Sequence, residues 1–180
     1  MTADFFVRPA AAGDEQPITD VQLAAWTAAD LLGADVLALL DPEAMRASWQ
    51  AAITAPPGPG YRVLVACENR RVVGFASVVP QPAEPETGSP TASGMILALE
   101  VAPDERRSGH GSRLLAAAVN ALRTDGAAEV STWVLHGDDA RARFLAGAGL
   151  RPDGAQRCLT DRTAPDDGRT LTESRWSATI

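Results

Sequence analysis

The sequence predicts an α/β protein in which one chain alternates strands and helices. Three observations carry that reading. Apolar runs of strand length, Tyr61 to Glu68, Val72 to Val79, Met95 to Val101 and Val130 to Leu135, are bounded by turn-forming residues. Between them lie stretches with helical spacing, clearest from Ser112 to Leu122, where Leu114, Leu115, Ala118, Val119 and Leu122 recur on one face. The resulting order, β-α-α-β-β-β-α-β-α-β-β, contains no internal repeat. A length of 180 residues suggests one domain, 1–180, large enough to bury a core.

Phe5 to Pro9 reads as the first strand. Thr19 to Leu32 spaces Val21, Leu23, Ala24, Trp26, Ala28 and Leu31 as a helix ended near Gly33. A second helix starts at Asp41-Pro42-Glu43, with aspartate as cap and proline in the first turn, and runs towards Ile53. The run Ala55-Pro56-Pro57-Gly58-Pro59-Gly60 stops it. Asn69-Arg70-Arg71 joins the next two strands as a hairpin. Residues 80–93, rich in proline, glutamate and serine, read as a long mobile hairpin loop, not a linker, because neither flank alone has a complete core. Asp125-Gly126 ends the Ser112 helix. Asp139 to Ala148 forms another helix, with Gly149 as its left-handed cap. Two last strands, about 155–160 and 170–178, flank the acidic loop Thr163 to Gly168.

Composition narrows the function. A net charge of −7 opposes broad nucleic-acid affinity, which depends on neutralising phosphates, and is compatible with a cationic small-molecule partner such as an amine. No stretch approaches the ~20 apolar residues of a membrane span, and Met1-Thr2-Ala3-Asp4 lacks the layout of a signal peptide. The chain therefore reads as cytoplasmic. Cys67 and Cys158 lie far apart without metal-ligand spacing and are expected as buried small apolar residues; no metal is expected.

The chemistry concentrates at Arg106-Arg107-Ser108-Gly109-His110-Gly111, between the strand Met95–Val101 and the helix from Ser112. A strand-to-helix turn leaves the first helical N–H groups without internal partners, and the helix dipole favours an anion there. Two glycines let that backbone approach a ligand closely. A dinucleotide site would need a third glycine where Leu114 stands, and a nucleotide P-loop would need a lysine, which this chain lacks entirely.

What remains, R-x-x-G-x-G, resembles the acetyl-CoA signature of the GNAT superfamily of N-acetyltransferases. The frame Val101-x-Pro103-x-x-Arg106-Arg107-x-Gly109-x-Gly111-x-x-Leu114-Leu115 carries the resemblance, and Trp133 to Pro152 resembles the family's strand, asparagine-led helix and F-Y-x-x-x-G-F ending. The resemblance spans nearly the whole chain. Trp26, Trp49 and Leu39-x-Asp41-Pro42-Glu43 also resemble a bacterial subgroup, although core packing accounts for both tryptophans. The implied fold is a single mixed, mostly antiparallel sheet of about seven strands with flanking helices and a splay between the fourth and fifth strands. The implied co-substrate is acetyl-CoA, with Leu99, Val101, Arg106, Arg107, Ser108, Gly109, His110, Gly111, Ser112 and Asp138 as its binding positions. The main chain of Leu99 and Val101 would pair with the pantetheine arm as a substitute strand. His110 is expected to face solvent, and Asp138, where the family has asparagine, to cap its helix.

The proton-transfer positions depart from the pattern. Leu145 stands where the family has its tyrosine acid, and the family's base positions are Met95 and Leu97. Tyr61, the only tyrosine, is expected to be structural. Glu100 is the one acid on that strand, but simple alternation turns it away from Met95 and Leu97 unless a bulge intervenes. Glu100 is a candidate base or substrate anchor, with a salt bridge to an arginine as its alternative role. His136, at the end of the splayed strand, is the second catalytic candidate. Asp30 and Asp35 are candidates to hold an ammonium group in an acceptor pocket walled by Asp30 to Leu40 and Thr163 to Gly168. The expected activity is acetyl transfer to a primary amine of a small molecule or protein, in a ternary complex. The alternatives are a catalytically silent acyl-CoA-binding module and a nucleotide-binding protein. Neither a nucleic acid nor a membrane is an expected partner, and a homodimer is compatible with the resemblance.

Overall fold

The computed structural model describes residues 4–81, 92–160 and 170–180. Its elements in chain order are β1 (Phe5–Pro9), α1 (Glu15–Ala29), α2 (Ala34–Ala38), α3 (Pro42–Thr54), β2 (Arg62–Glu68), β3 (Arg71–Gln81), β4 (Ser93–Val101), α4 (His110–Thr124), β5 (Glu129–Leu135), α5 (Asp139–Gly147), β6 (Arg151–Thr160) and β7 (Thr170–Thr179), with a short 3₁₀ turn at Pro103–Glu105. The seven strands form one open sheet in the order β1-β2-β3-β4-β5-β7-β6. All neighbours are antiparallel except β4 and β5, which run parallel because α4 crosses between them.

Alternation along the strands divides the core into two layers. Leu64, Ala66, Val73, Ala76, Val78, Ile96 and Val130 face α4 and meet Leu114, Leu115, Ala118 and Leu122. Val63, Val65, Cys67, Val72 and Phe75 face the other way, against Ile18 and Val21 of α1 and Trp49 and Ile53 of α3. Trp49 is a core residue there, edge-on to Phe75 at 5.0 Å and donating its indole N–H to Gln22 at 2.8 Å. Gly94 keeps the α4 layer thin, since a Cβ on it would lie 2.3 Å from Leu122.

Several boundaries differ from the sequence expectation. α1 begins at Glu15, four residues before Thr19, because Pro17 falls in the first turn, where a missing N–H has no helical partner to lose. It ends at Asp30, left-handed at φ 52°, and Gly33 instead opens the unexpected short helix α2. Pro80, Gln81 and Ser93, expected in the loop over 80–93, belong to the ladder instead; 82–91 lie outside the described residues. β6 starts at Arg151, with an irregular register between Pro152 and Gln156 that hid its first half from a period-two reading. Asp41 caps α3 as expected, accepting from the N–H groups of Glu43 and Ala44 at 2.9 and 3.2 Å. Gly149 is left-handed at φ 97° behind α5. No helix among the described residues is long and apolar enough to cross a membrane.

β1 and α1 are tied by a charge cluster. Asp14 receives two hydrogen bonds from the Arg8 guanidinium, at 2.6 and 3.0 Å, and one from the Ala11 N–H at 2.8 Å. The Arg8 hydrogen bond holds the Asp14 carboxyl below the usual carboxylate range, against the opposing effect of burial. A depressed native pKa stabilises the fold above the unfolded value of about 3.9 and is lost as pH falls through the native one. Arg8 is 36% exposed, which screens part of the pairing. Asp14→Asn should therefore cost about 1–2 kcal/mol at pH 7 in urea unfolding. The gap between wild type and variant should narrow below pH 4; a gap constant from pH 7 to pH 3 would reject the account.

Candidate active site

β4 and β5 pair only from Ser93–Ile96 against Glu129–Thr132. Beyond Ile96 the strands diverge, with Thr132 Oγ1 still donating to the Ile96 carbonyl at 2.9 Å as the last bridge. The sheet thus opens into a V, and Leu97 to Val101 have no strand on that side among the described residues.

The cause is partly local to β4. Ile96 pairs with Val78 and Ala98 with Ser77, so Leu97 is an extra residue without a partner, a bulge. Ile96, Leu99 and Val101 pack in the α4 layer, whereas Ala98 packs in the α1–α3 layer. Glu100, between Leu99 and Val101, consequently shares the face of Ala98 and Leu97. Unbroken alternation would have placed it opposite.

At the open end of β4 the chain makes its 3₁₀ turn and enters the segment Arg106 to Gly111, the candidate anion cradle. Arg107 and Gly109 both adopt left-handed backbone, at φ 67° and 81°, and Gly109 stands at the N-terminus of α4. That helix begins at His110, two residues earlier than expected, with no side-chain cap and no acid in its first turn. The first-turn N–H groups of His110, Gly111 and Ser112 accordingly find no helical acceptor. Arg106, Arg107, Ser108, Gly109 and Ser112 are exposed around them. The local field is set for an anion.

His110 corrects the sequence expectation. Its side chain is 1% exposed, edge-on to Phe5 with centroids 5.2 Å apart, and its Nε2 is buried without a hydrogen-bond partner among the described residues. It anchors α4 to β1, and its side chain does not face the exposed turn. The Gly111 Cα lies on the inner side of the same turn: a Cβ there would be 3.5 Å from Phe144 of α5 and 3.8 Å from Val101.

The opposite wall of the V is the start of α5. Asp138 caps it, accepting from the Arg141 N–H at 3.0 Å. The Arg141 side chain then turns back across the opening. Its Nε donates to Asp138 at 3.2 Å, one terminal nitrogen to the Leu99 carbonyl at 3.1 Å and the other to Glu100 Oε1 at 2.6 Å. Burial alone would lower the Arg141 pKa, but the charges of Glu100 and Asp138 more than offset it and raise it above its ordinary value. Glu100 therefore does make the arginine salt bridge, and it does so inside the V. Sequence reasoning did not single out Arg141. Its three-residue spacing from Asp138 was a visible helical pairing signal; its link to Glu100 was not.

His136 lies elsewhere. Its Nε2 is 2.7 Å from Ser174 Oγ on β7, and it lines a cavity of about 270 Å³ under α5 with Asp138, Ala142, Pro152 and Trp176. Glu100 and His136 are thus held by different partners, one by α5 and the other by β7. Leu145 is 3% exposed in a small core with Val134 and Leu150, and supplies no dissociable proton. Tyr61 borders a second cavity, of about 350 Å³, between α3 and the sheet, with Ala51, Ala55, Ser77 and the bulge residue Leu97.

The α1–α2 junction reaches the mouth of the V, since a Cβ on Gly137 would lie 3.8 Å from Leu31. Asp30 ends α1 and Asp35 lies in the first turn of α2. Thr163 to Gly168 lie outside the described residues. Burial pushes the Cys67 thiol up, as befits a core residue, but Cys158 is exposed on β6, contrary to expectation.

The sequence matches the Acetyltransferase (GNAT) family over residues 25–149, more than half of the chain. The chain belongs to the GNAT family. Solved structures repeat this GNAT architecture over almost its full length. A PaiA N-acetyltransferase from Thermoplasma acidophilum, in complex with coenzyme A, superposes with a TM-score of 0.76 at 13% identity, covering 98% of this chain and 99% of that one. A ribosomal-protein-alanine N-acetyltransferase from Brucella melitensis gives 0.66 at 24% identity, covering 97% and 99%. YncA from Salmonella typhimurium, a putative acetyltransferase with its cofactor acetyl-CoA, gives 0.64 at 22% identity, covering 97% and 93%. At these identities the structures speak for the GNAT fold. No curated protein matches the sequence.

Proposed function

We propose that the chain, acting as one domain, transfers an acetyl group from acetyl-CoA to a primary amine of a small molecule or protein. The observation that carries this reading is the V between β4 and β5 ending at an uncapped, acid-free helix N-terminus. A strand edge without a partner strand, met among the described residues only by Arg141 at the Leu99 carbonyl, and N–H groups without helical acceptors suit an amide-bearing arm joined to a pyrophosphate. The main chain of Leu99 and Val101 would hold the arm. The N–H groups of residues 108–112 would hold the pyrophosphate, with Arg106 and Arg107 adding positive charge. Asp138 serves that site through the wall it builds with Arg141.

Transfer forms a C–N bond at the thioester carbonyl and breaks the C–S bond in one ternary complex. Glu100, on the face of the bulge residue Leu97, takes one proton from the ammonium, or anchors the ammonium while water takes it, so that the neutral amine attacks; the second amine proton passes to water as the C–S bond breaks. The leaving sulfur, with a thiol pKa near 8.5, departs as thiolate without needing an acid at the position of Leu145. Positioning alone is worth about 7–11 kcal/mol in favourable cases. His136, hydrogen-bonded to Ser174, ranks second as a proton carrier.

The rival reading is a module that binds acyl-CoA but has lost transfer; Met95, Leu97 and Leu145 favour it because they carry no titratable group. Thiol release from acetyl-CoA across a panel of amines, run beside thermal-shift titration with acetyl-CoA, separates the two. Turnover on at least one amine is expected. Stabilisation without turnover on any amine would establish the silent module, and stabilisation by NAD or ATP but not acetyl-CoA would reject both.

A further inference from the structure

Arg141 joins three groups that belong to two walls. Asp138 is on α5, whereas the Leu99 carbonyl and Glu100 are on β4, just past the point where β4 loses β5 as a partner. Its guanidinium therefore stands across the V at the first level where a substitute strand would lie along β4. The Leu99 carbonyl has a second lone pair, but the planar guanidinium spans the gap from β4 to α5. A pantetheine arm and this conformation of Arg141 need the same space.

We propose that Arg141 is a latch on the active site: coenzyme docking displaces it from Leu99 and Glu100, and that displacement frees the Glu100 carboxylate for the acceptor amine. This rests on the coenzyme reading of the V. The electrostatics allow the exchange. The guanidinium retains Asp138 when it leaves β4, so no cation is stranded in a buried position. Glu100, 12% exposed as a side chain, changes from a paired carboxylate to one directed at the amine face. A cationic acceptor then replaces the charge it has lost. Binding is thereby ordered, with the coenzyme first and the amine second. Arg141 is a positioning residue in this scheme, since it controls access and Glu100 and does not touch reacting atoms once displaced.

The latch opposes the coenzyme it guards, which gives the test its sign. Arg141→Ala should bind acetyl-CoA at least about tenfold tighter than wild type by calorimetry, because the contacts to the Leu99 carbonyl and to Glu100 no longer have to be broken. Its association rate in stopped flow should rise. Its acceptor-first order of binding, forbidden in wild type, should become detectable in product-inhibition patterns. Arg141→Ala leaves two carboxylates near each other, so the double variant Arg141→Ala/Glu100→Gln serves as a second binding probe with less repulsion. Equal or weaker acetyl-CoA affinity in both variants, with wild type still binding, would overturn the latch and leave the coenzyme site standing. Failure of wild type and both variants to bind would overturn the coenzyme site and the latch together.

Discussion

Gly109→Asp should abolish measurable acetyl-CoA binding while the sheet remains folded. Gly109 sits at φ 81°, a conformation that L side chains rarely adopt, and a Cβ there would lie 3.0 Å from the Arg113 guanidinium. The aspartate also places a negative charge at the N-terminus of α4, which carries no acid in its first turn. Loss of two charge-assisted contacts from the cradle corresponds to about 100-fold in affinity, before repulsion is added. Gly111→Asp should act by a different route. Its side chain would push towards Phe144 and Val101, narrowing the opening between α4 and α5. Arg106→Ala or Arg107→Ala should weaken binding only about three- to tenfold, since each is an exposed charge. Calorimetry with circular dichroism as the fold control decides. Wild-type affinity in both glycine variants would remove the cradle assignment.

Glu100→Gln should lower kcat by about 10²- to 10⁴-fold, the ordinary contribution of a general base, without weakening acetyl-CoA binding. The prediction depends on the bulge at Leu97, which brings Glu100 to the face of Ala98. If Glu100 anchors the ammonium without taking its proton, the acceptor KM should rise and kcat should hold. His136→Ala should cost less than about tenfold in either constant, because its ring is engaged by Ser174 on the β7 side. A kcat within threefold of wild type for Glu100→Gln, with the acceptor KM unchanged, would remove Glu100 from the chemistry. The same change would also release Arg141 from its ion pair, so any shift in coenzyme affinity should be towards tighter binding.

Much of the fold was legible because its signals are local. The α4 face, the Asp41 and Asp138 caps and the Asn69–Arg70 turn each depend on residues a few positions apart, and each is present. The ends of elements were less legible. The helix α1 starts at Glu15, ahead of the apolar spacing that begins after Thr19, and the short helix α2 is preceded by a glycine that resembled a terminator. His110 was misjudged because a polar residue in an exposed loop carries no mark of the ring, Phe5, that covers it from the far end of the sequence.

The proposed cradle is legible in the sequence alone, since anion binding by main chain needs only glycines, a helix start and the absence of acid, all written within a dozen residues. The sequence also determined what is missing, a titratable group at Met95, Leu97 and Leu145. Only the tertiary structure decided which side of β4 Glu100 occupies and which group it meets there. One unpaired residue in a ladder reverses every side chain beyond it, and no composition or period reveals that insertion. Arg141 lies 41 positions from Glu100 and meets it only because β4 and β5 part and α5 packs across the gap. Chemistry that rests on the main chain can be read from a motif, whereas chemistry that rests on paired side chains waits for the fold that pairs them.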